Sequence, residues 1–372
     1  MRARVTNARR RPPQCAALIA LAASLTASLG APASGQATGS NAADRPAAAR
    51  LDTARLARAY ARAAGLPRLR SLLVEWRGLV IGERYFHGAT HATPANIKSA
   101  SKSVISALVG IAIARGDLRD THQTLAELLP TETRGLDETK RAITIEDLLT
   151  MRTGLESTSF WNYGRWVSSR NWVRFVLSRP TVAARGAAGP MIYSTGSTHL
   201  LSAILTRATG MSTYRYAQRY LGAPLGIRIR PWTTDPQGIY FGGNDMRMTP
   251  REMLAFGRLY LTGGRVPAGA PGMSREVIPR AWIDSSWVPR ARSDWSGQDY
   301  GYGWWIRTAW TERARHAVYY AWGYGGQFVF VIPDVDLVVV VTSDPEVRSR
   351  EEGHLEAIHS LVDQEIIPAV GG

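Results

Sequence analysis

The chain has 372 residues, of which 45% are apolar and 20% charged, a balance that excludes a disordered chain and allows one large domain or two moderate ones. Its single cysteine, Cys15, excludes an internal disulfide framework and a thiolate zinc site. The formal net charge of +15 would suit nucleic acid, but the basic residues are scattered, and the one dense run, Arg9 to Arg11, falls in a stretch expected to be removed, so no nucleic-acid partner is expected.

Taken in order, residues 1–37 read as an export signal. A basic stretch from Arg2 to Arg11 precedes an apolar run from Ala16 to Leu29, and small residues follow at Ala33 and Ala37. The run is short and Ala-rich for a membrane span, so the mature protein is expected to be periplasmic or secreted, with an uncleaved anchor as the alternative. Residues 38–50 form a polar, Ala-rich leader, and residues 51–372 the folded domain. Leu51 to Ala64 carries helical periodicity. Ser71 to Trp76 and Leu79 to Phe86 read as strands joined by a turn at Arg77-Gly78. A long apolar helix runs from Ser101 to Arg115 and stops at Gly116. The stretch 118–248 reads as mainly helical, with helices over 144–151, 169–177, 197–209 and 212–220. Thr249, Pro250 and Glu252 open a further helix with a capping box. Four strands follow, over 302–308, 316–322, 328–332 and 337–342, and a helix over 354–367 closes the chain with Leu355, Ile358, Leu361 and Val362 on one face.

Strands at both ends and helices between them predict an α+β fold. An antiparallel sheet is built from both chain ends (about 51–117 and 249–372) and flanked by the terminal helices, with an inserted, mainly helical lobe (about 118–248). The cleft between the two is the expected place for a site.

Three motifs carry chemistry. Of 45 basic residues only three are lysines: Lys98, Lys102 and Lys140. Lysine, unlike arginine, can give up its proton in a protein. Lys102 closes Ser99-Ala100-Ser101-Lys102, the one Ser-x-x-Lys of the chain, at the start of the long apolar helix. Residues three apart on a helix face the same way, so Lys102 reaches the Ser99 hydroxyl and can act as the base that makes it a nucleophile. Tyr193 precedes Ser194 and Thr195 at the entry of another helix and can share that role. Ala321-Trp322-Gly323-Tyr324-Gly325-Gly326-Gln327 joins two strands, and its backbone N–H groups can complete an oxyanion hole with that of Ser99. Read alone, these are equally a helix cap, an amphipathic tyrosine and a glycine-rich hairpin. His354 and His359 are expected at the surface, His199 is expected to pack in its helix, and no metal or cofactor is implied.

Ser-x-x-Lys opening a buried helix, Tyr-Ser some ninety residues later and a late glycine-rich strand motif together resemble the serine β-lactamase and penicillin-binding-protein superfamily. The sequence is most similar to its class C β-lactamase-like branch, which includes esterases and 6-aminohexanoate-dimer (nylon-oligomer) hydrolases. The stretches IEDLLTMRTG (145–154), GGNDMRMTPREMLAFGRLYLTGG (242–264) and YGYGWW (300–305) fit as well, so the resemblance spans about residues 70–345. It implies Ser99 as the acylated nucleophile, Lys102 as its base and Tyr193 as a second base passing the proton to the leaving group. It also implies an oxyanion hole from the N–H groups of Ser99 and Tyr324, and substrate contacts from Tyr163, Trp322, Gly323, Gly325, Gly326 and Gln327.

Two departures bear on substrate. Class C β-lactamases have Tyr-x-Asn where this chain has Thr195, and Lys-Thr-Gly where it has Ala321-Trp322-Gly323. Loss of that lysine removes a contact to a carboxylate worth about 1.5–3 kcal/mol. The expected function is therefore a serine hydrolase working through an acyl-enzyme on a small ester or linear amide. The alternatives are a β-lactamase or D-Ala peptidase-like enzyme, or a non-catalytic ligand-binding member of the fold.

Overall fold

The computed structural model describes residues 50–267, 274–346 and 353–371; the expected signal, nearly all of the leader and Cys15 lie outside them. Eight strands form one antiparallel sheet: β1 (Leu69–Trp76), β2 (Leu79–Tyr85), β3 (Ala291–Arg292), β4 (Asp299–Tyr300), β5 (Trp305–Trp310), β6 (Arg315–Gly323), β7 (Gln327–Ile332) and β8 (Leu337–Ser343). Their spatial order is β2-β1-β8-β7-β6-β5-β4-β3. The β1–β2 hairpin turns at Arg77 and Gly78, both at positive φ (50° and 78°), the backbone that matches strand twist in a two-residue turn. β1 also pairs with β8, Leu72 opposite Val341 and Val74 opposite Val339. Strands from early and late in the chain thus pair side by side near one edge of the sheet, as the element order predicts.

β8 reads Leu-Val-Val-Val-Val-Thr-Ser and is buried throughout, the pattern of a strand covered on both faces. One face packs against α1 (Thr53–Ala64) and the closing helix through Leu56, Ala59, Val339, Phe330, Ile358 and Leu361. The opposite face presents Val329, Val331, Val338 and Val340 to a core shared with the long apolar helix α2 (Ser101–Ala114) and the inserted helices. Those include α3 (Ile145–Leu149), α4 (Trp172–Leu177) and α5 (Thr195–Thr209). The helix α6 (Pro250–Leu261) begins as expected: Thr249 accepts from the Glu252 N–H, and Glu252 reaches back to the Thr249 N–H.

Three expectations shift. The strand predicted from Tyr302 starts at Trp305, because Gly301 to Gly303 turn against α2, where Ser103 donates to the Gly303 carbonyl. The helix predicted over 169–177 starts at Trp172, where Asn171 caps it by accepting from the Arg174 N–H. His354 and His359 are not surface residues. The closing helix α7 (His354–Leu361) turns His354 to the Ser343 hydroxyl, 3.0 Å away, and lays His359 edge-on against Tyr320, Phe328 and Phe330. Among the described residues no helix is long and apolar enough to cross a membrane.

Candidate active site

Ser99 lies in a single helical turn, Lys98–Ala100, that runs straight into α2. Lys98 has φ 50°, a left-handed backbone that a non-glycine residue adopts at a cost of about 1–3 kcal/mol. Local bonds hold it there. The Lys98 N–H donates to Asn96 Oδ1 (3.0 Å), the Ser101 hydroxyl donates to the Lys98 carbonyl (2.6 Å), and Asn96 is itself tied to Asp245. Beneath the turn, the Ile97 carbonyl packs onto Gly323, where a Cβ would stand 2.0 Å from it. Glycine at the end of β6 is what lets that strand lie under the serine.

Lys102 follows three residues on and is 1% exposed. Its Nζ lies 2.7 Å from the Gly243 carbonyl, 3.0 Å from Ser99 Oγ and 3.3 Å from Thr195 Oγ1. None of the three is charged. Burial without a counter-ion disfavours the ammonium and brings its pKa from 10.5 down to about 7. A neutral amine has two N–H bonds and one lone pair. The Gly243 carbonyl can only accept, and Thr195 takes the second N–H, so the lone pair is left to face the Ser99 hydroxyl.

Tyr193 stands at the entry to α5 and lines the same cavity as Ser99, with its ring centroid 5.0 Å from Lys102 Nζ. Burial raises the phenol to about 12, so it holds its proton at neutral pH. The tyrosine is fixed by a zipper between two segments. Ser157 donates to the Tyr193 carbonyl, and the Thr158 N–H donates to the Ser194 hydroxyl. The Thr195 N–H donates to Ser159 Oγ, and the Gly196 N–H to Thr158 Oγ1. Ser159 Oγ lies 2.9 Å from Thr195 Oγ1 and so joins the hydroxyls beside Lys102.

These groups open on a cavity of about 440 Å³. Ser99, Tyr193, Tyr163, Trp322 and Tyr324 all line it, so the structure brings together most of the residues singled out in the sequence. Tyr163 accepts a hydrogen bond from Asn244 (2.7 Å). Gly325, Gly326 and Gln327 do not line it. Gln327 is buried, with its amide paired to the Ser343 main chain at 2.6 and 3.2 Å. The turn at Gly325 and Gly326 (φ 80° and 99°) aims them at Pro345 and Ser343. Gly323 packs on Ile97, so each of these glycines lies in close contact with a neighbouring segment. Lys98, Ser159, Phe160, Asn244, Trp295 and Trp305 line the cavity without having been singled out for it. Phe160 lies three residues before Tyr163, the one residue of the stretch 160–166 that the resemblance implied. His199 packs as expected, buried among Trp166, Trp172 and Phe241 with Nε2 3.2 Å from Asp235. No cluster of potential metal ligands occurs among the described residues.

The beta-lactamase family profile matches residues 71–362, most of the chain, and the chain belongs to that family of hydrolases and has its α+β fold. It is 26% identical over 176 residues to a 6-aminohexanoate-dimer hydrolase from Paenarthrobacter ureafaciens. That match takes in 45% of this chain and 43% of the relative, less than half of either. A class C beta-lactamase from Rhodobacter sphaeroides superposes with a TM-score of 0.61 at 18% identity, covering 83% of this chain and 98% of that one. A mutant simvastatin synthase from Aspergillus terreus does so at 0.65 and 17% identity, covering 87% and 99%. At these identities the likeness establishes the fold.

Proposed function

We propose that the protein is a serine hydrolase that forms an acyl-enzyme at Ser99 from a small ester or linear amide. The observation that carries this is a buried lysine, Lys102, with a pKa of about 7 and its Nζ 3.0 Å from Ser99 Oγ. Lys102 takes the Ser99 proton as Oγ bonds to the substrate carbonyl carbon. The N–H groups of Ser99 and Tyr324 receive the oxyanion. When the tetrahedral intermediate collapses, the bond to the leaving group breaks, the electron pair departs with it, and the Tyr193 phenol supplies its proton. The Lys102 ammonium then returns a proton to Tyr193. Water repeats the sequence on the acyl-enzyme, giving the free acid and Ser99. The raised phenol pKa makes Tyr193 a proton donor to the leaving group, not a standing phenolate base. On the same reading the enzyme acts outside the cytoplasm, which the basic and then apolar start of the chain supports.

Reaction with a fluorophosphonate probe, read by intact mass and peptide mapping, is expected to give one adduct on Ser99. Hydrolysis of p-nitrophenyl acetate is expected to vanish in Ser99→Ala and Lys102→Ala while the fold persists. A Ser99→Ala protein that keeps the wild-type rate overturns the proposal. Lys98 in the cavity wall is the observation that favours a second reading, a substrate carrying a carboxylate such as a β-lactam or a cell-wall peptide. Against it, Ala321 stands where class C β-lactamases have that lysine, with Trp322 beside it, and nitrocefin turnover well below ester turnover is expected.

A further inference from the structure

On the hydrolase reading, Tyr193 is the group that hands a proton to the departing atom, so whatever walls Tyr193 walls the exit of the leaving group. That wall is aromatic. The Tyr193 ring stacks on Trp305 (5.8 Å, 27°), meets Trp295 edge-on (6.4 Å, 81°) and tilts against Phe160 (6.5 Å, 47°). Trp295 in turn meets Trp305 edge-on (5.5 Å) and Trp322 at a tilt (5.3 Å). These rings are not simply core. Phe160 is 63% and Trp295 54% exposed, and both line the cavity. They come from separate stretches of the chain, and Phe160 holds a left-handed backbone (φ 53°), strain of the kind stored at functional positions. Large bare aromatic surface at a cavity rim marks a place where a ligand sits. Among the described residues no carboxylate lines the cavity, so none of them would pair with a cationic group there.

We propose that the cavity is selective for an aromatic ring in the leaving group, seated against Trp295, Trp305 and Phe160; its preferred substrates are esters or amides of aryl or arylmethyl alcohols and amines. In the step concerned, the carbonyl carbon–oxygen bond breaks and the electron pair stays on the alcohol oxygen. That oxygen takes the Tyr193 phenol proton, and the neutral aromatic alcohol remains against the rings until it diffuses out.

The test compares benzyl acetate with cyclohexylmethyl acetate, which share the acyl group and have leaving alcohols of similar size and basicity. Cyclohexylmethanol is the more hydrophobic of the two alcohols, so a merely apolar pocket would favour the cyclohexyl ester. Ring–ring geometry is expected to favour the benzyl ester in kcat/KM by about fivefold or more. In Trp295→Ala, a change at a half-exposed side chain, the ratio is expected to fall below about twofold. A second arm needs no catalysis: binding of benzyl alcohol and of cyclohexylmethanol to the wild-type protein and to Trp295→Ala, by calorimetry. Cleavage of both esters with equal efficiency overturns the aromatic selectivity and leaves the hydrolase reading standing. Tighter binding of benzyl alcohol that is lost in Trp295→Ala, with neither ester cleaved, sustains the aromatic site and overturns the hydrolase reading. Equal binding of the two alcohols with no cleavage overturns both.

Discussion

Lys102 is held by three neutral oxygens and no carboxylate, and that single fact decides its chemistry. With a pKa of about 7, the side chain is protonated, and useless as a base, below neutral pH. The kcat/KM for an ester is expected to fall about tenfold for each pH unit below about 7 and to level off above it. A profile flat from pH 5 to pH 8 would show that another group, or none, takes the serine proton. Lys102→Arg is expected to abolish the reaction at every pH, since a guanidinium does not deprotonate. The pair itself was legible in the sequence. Ser99 and Lys102 are three apart at a helix start, and the scarcity of lysine drew attention to the second. Their partners were not. Gly243 and Thr195 reach Lys102 from positions more than ninety residues away, and nothing in local spacing encodes that approach.

Among the elements, those specified by local chemistry emerged where expected. Thr249, Pro250 and Glu252 cap α6, and Arg77-Gly78 turns the first hairpin, because capping boxes and positive-φ turns involve only near neighbours. The boundary that moved to Trp305 is set by packing against a distant segment, while the start at Trp172 is set by a local cap, Asn171. In the glycine-rich stretch at the end of β6, the glycines meet Ile97, Pro345 and Ser343: a glycine in sequence shows that space is tight, not what occupies it. Gly243 makes the point at the site. A Cβ there would lie 2.4 Å from Thr198 Oγ1 and 2.8 Å from Thr195 Cγ2, so Gly243→Ala must push this loop off α5 and draw its carbonyl away from Lys102. The ammonium then loses its nearest acceptor and becomes harder to form. The acid limb of the kcat/KM profile is expected to move below pH 7 as kcat falls. A loss of rate with the limb unmoved would mean that the carbonyl does not tune the lysine.

At the scale of the whole molecule, the sheet stitches residues 69–76 to residues 337–343, and α1 and α7 close over the same face, so the two ends of the chain stand or fall together. The sequence showed this arrangement through strand order alone; what it hid was the load on the closing helix. His359 lies edge-on to Tyr320, Phe328 and Phe330, and burial, helped by the Arg307 charge, drops its pKa from 6.5 to about 3. The folded state therefore refuses a proton that the unfolded chain accepts below pH 6.5. Stability from this source is complete above pH 6.5 and is lost progressively as the pH falls toward 3. At pH 5 the loss is on the order of 2 kcal/mol. Phenylalanine fits the same aromatic surroundings and does not titrate. Urea unfolding of His359→Phe and wild type at pH 5 and pH 8 is expected to show the variant gaining by about that amount at pH 5 relative to pH 8. An equal difference at both pH values would mean that the histidine charges in place, and that the contact between α7 and the sheet is looser than its burial implies.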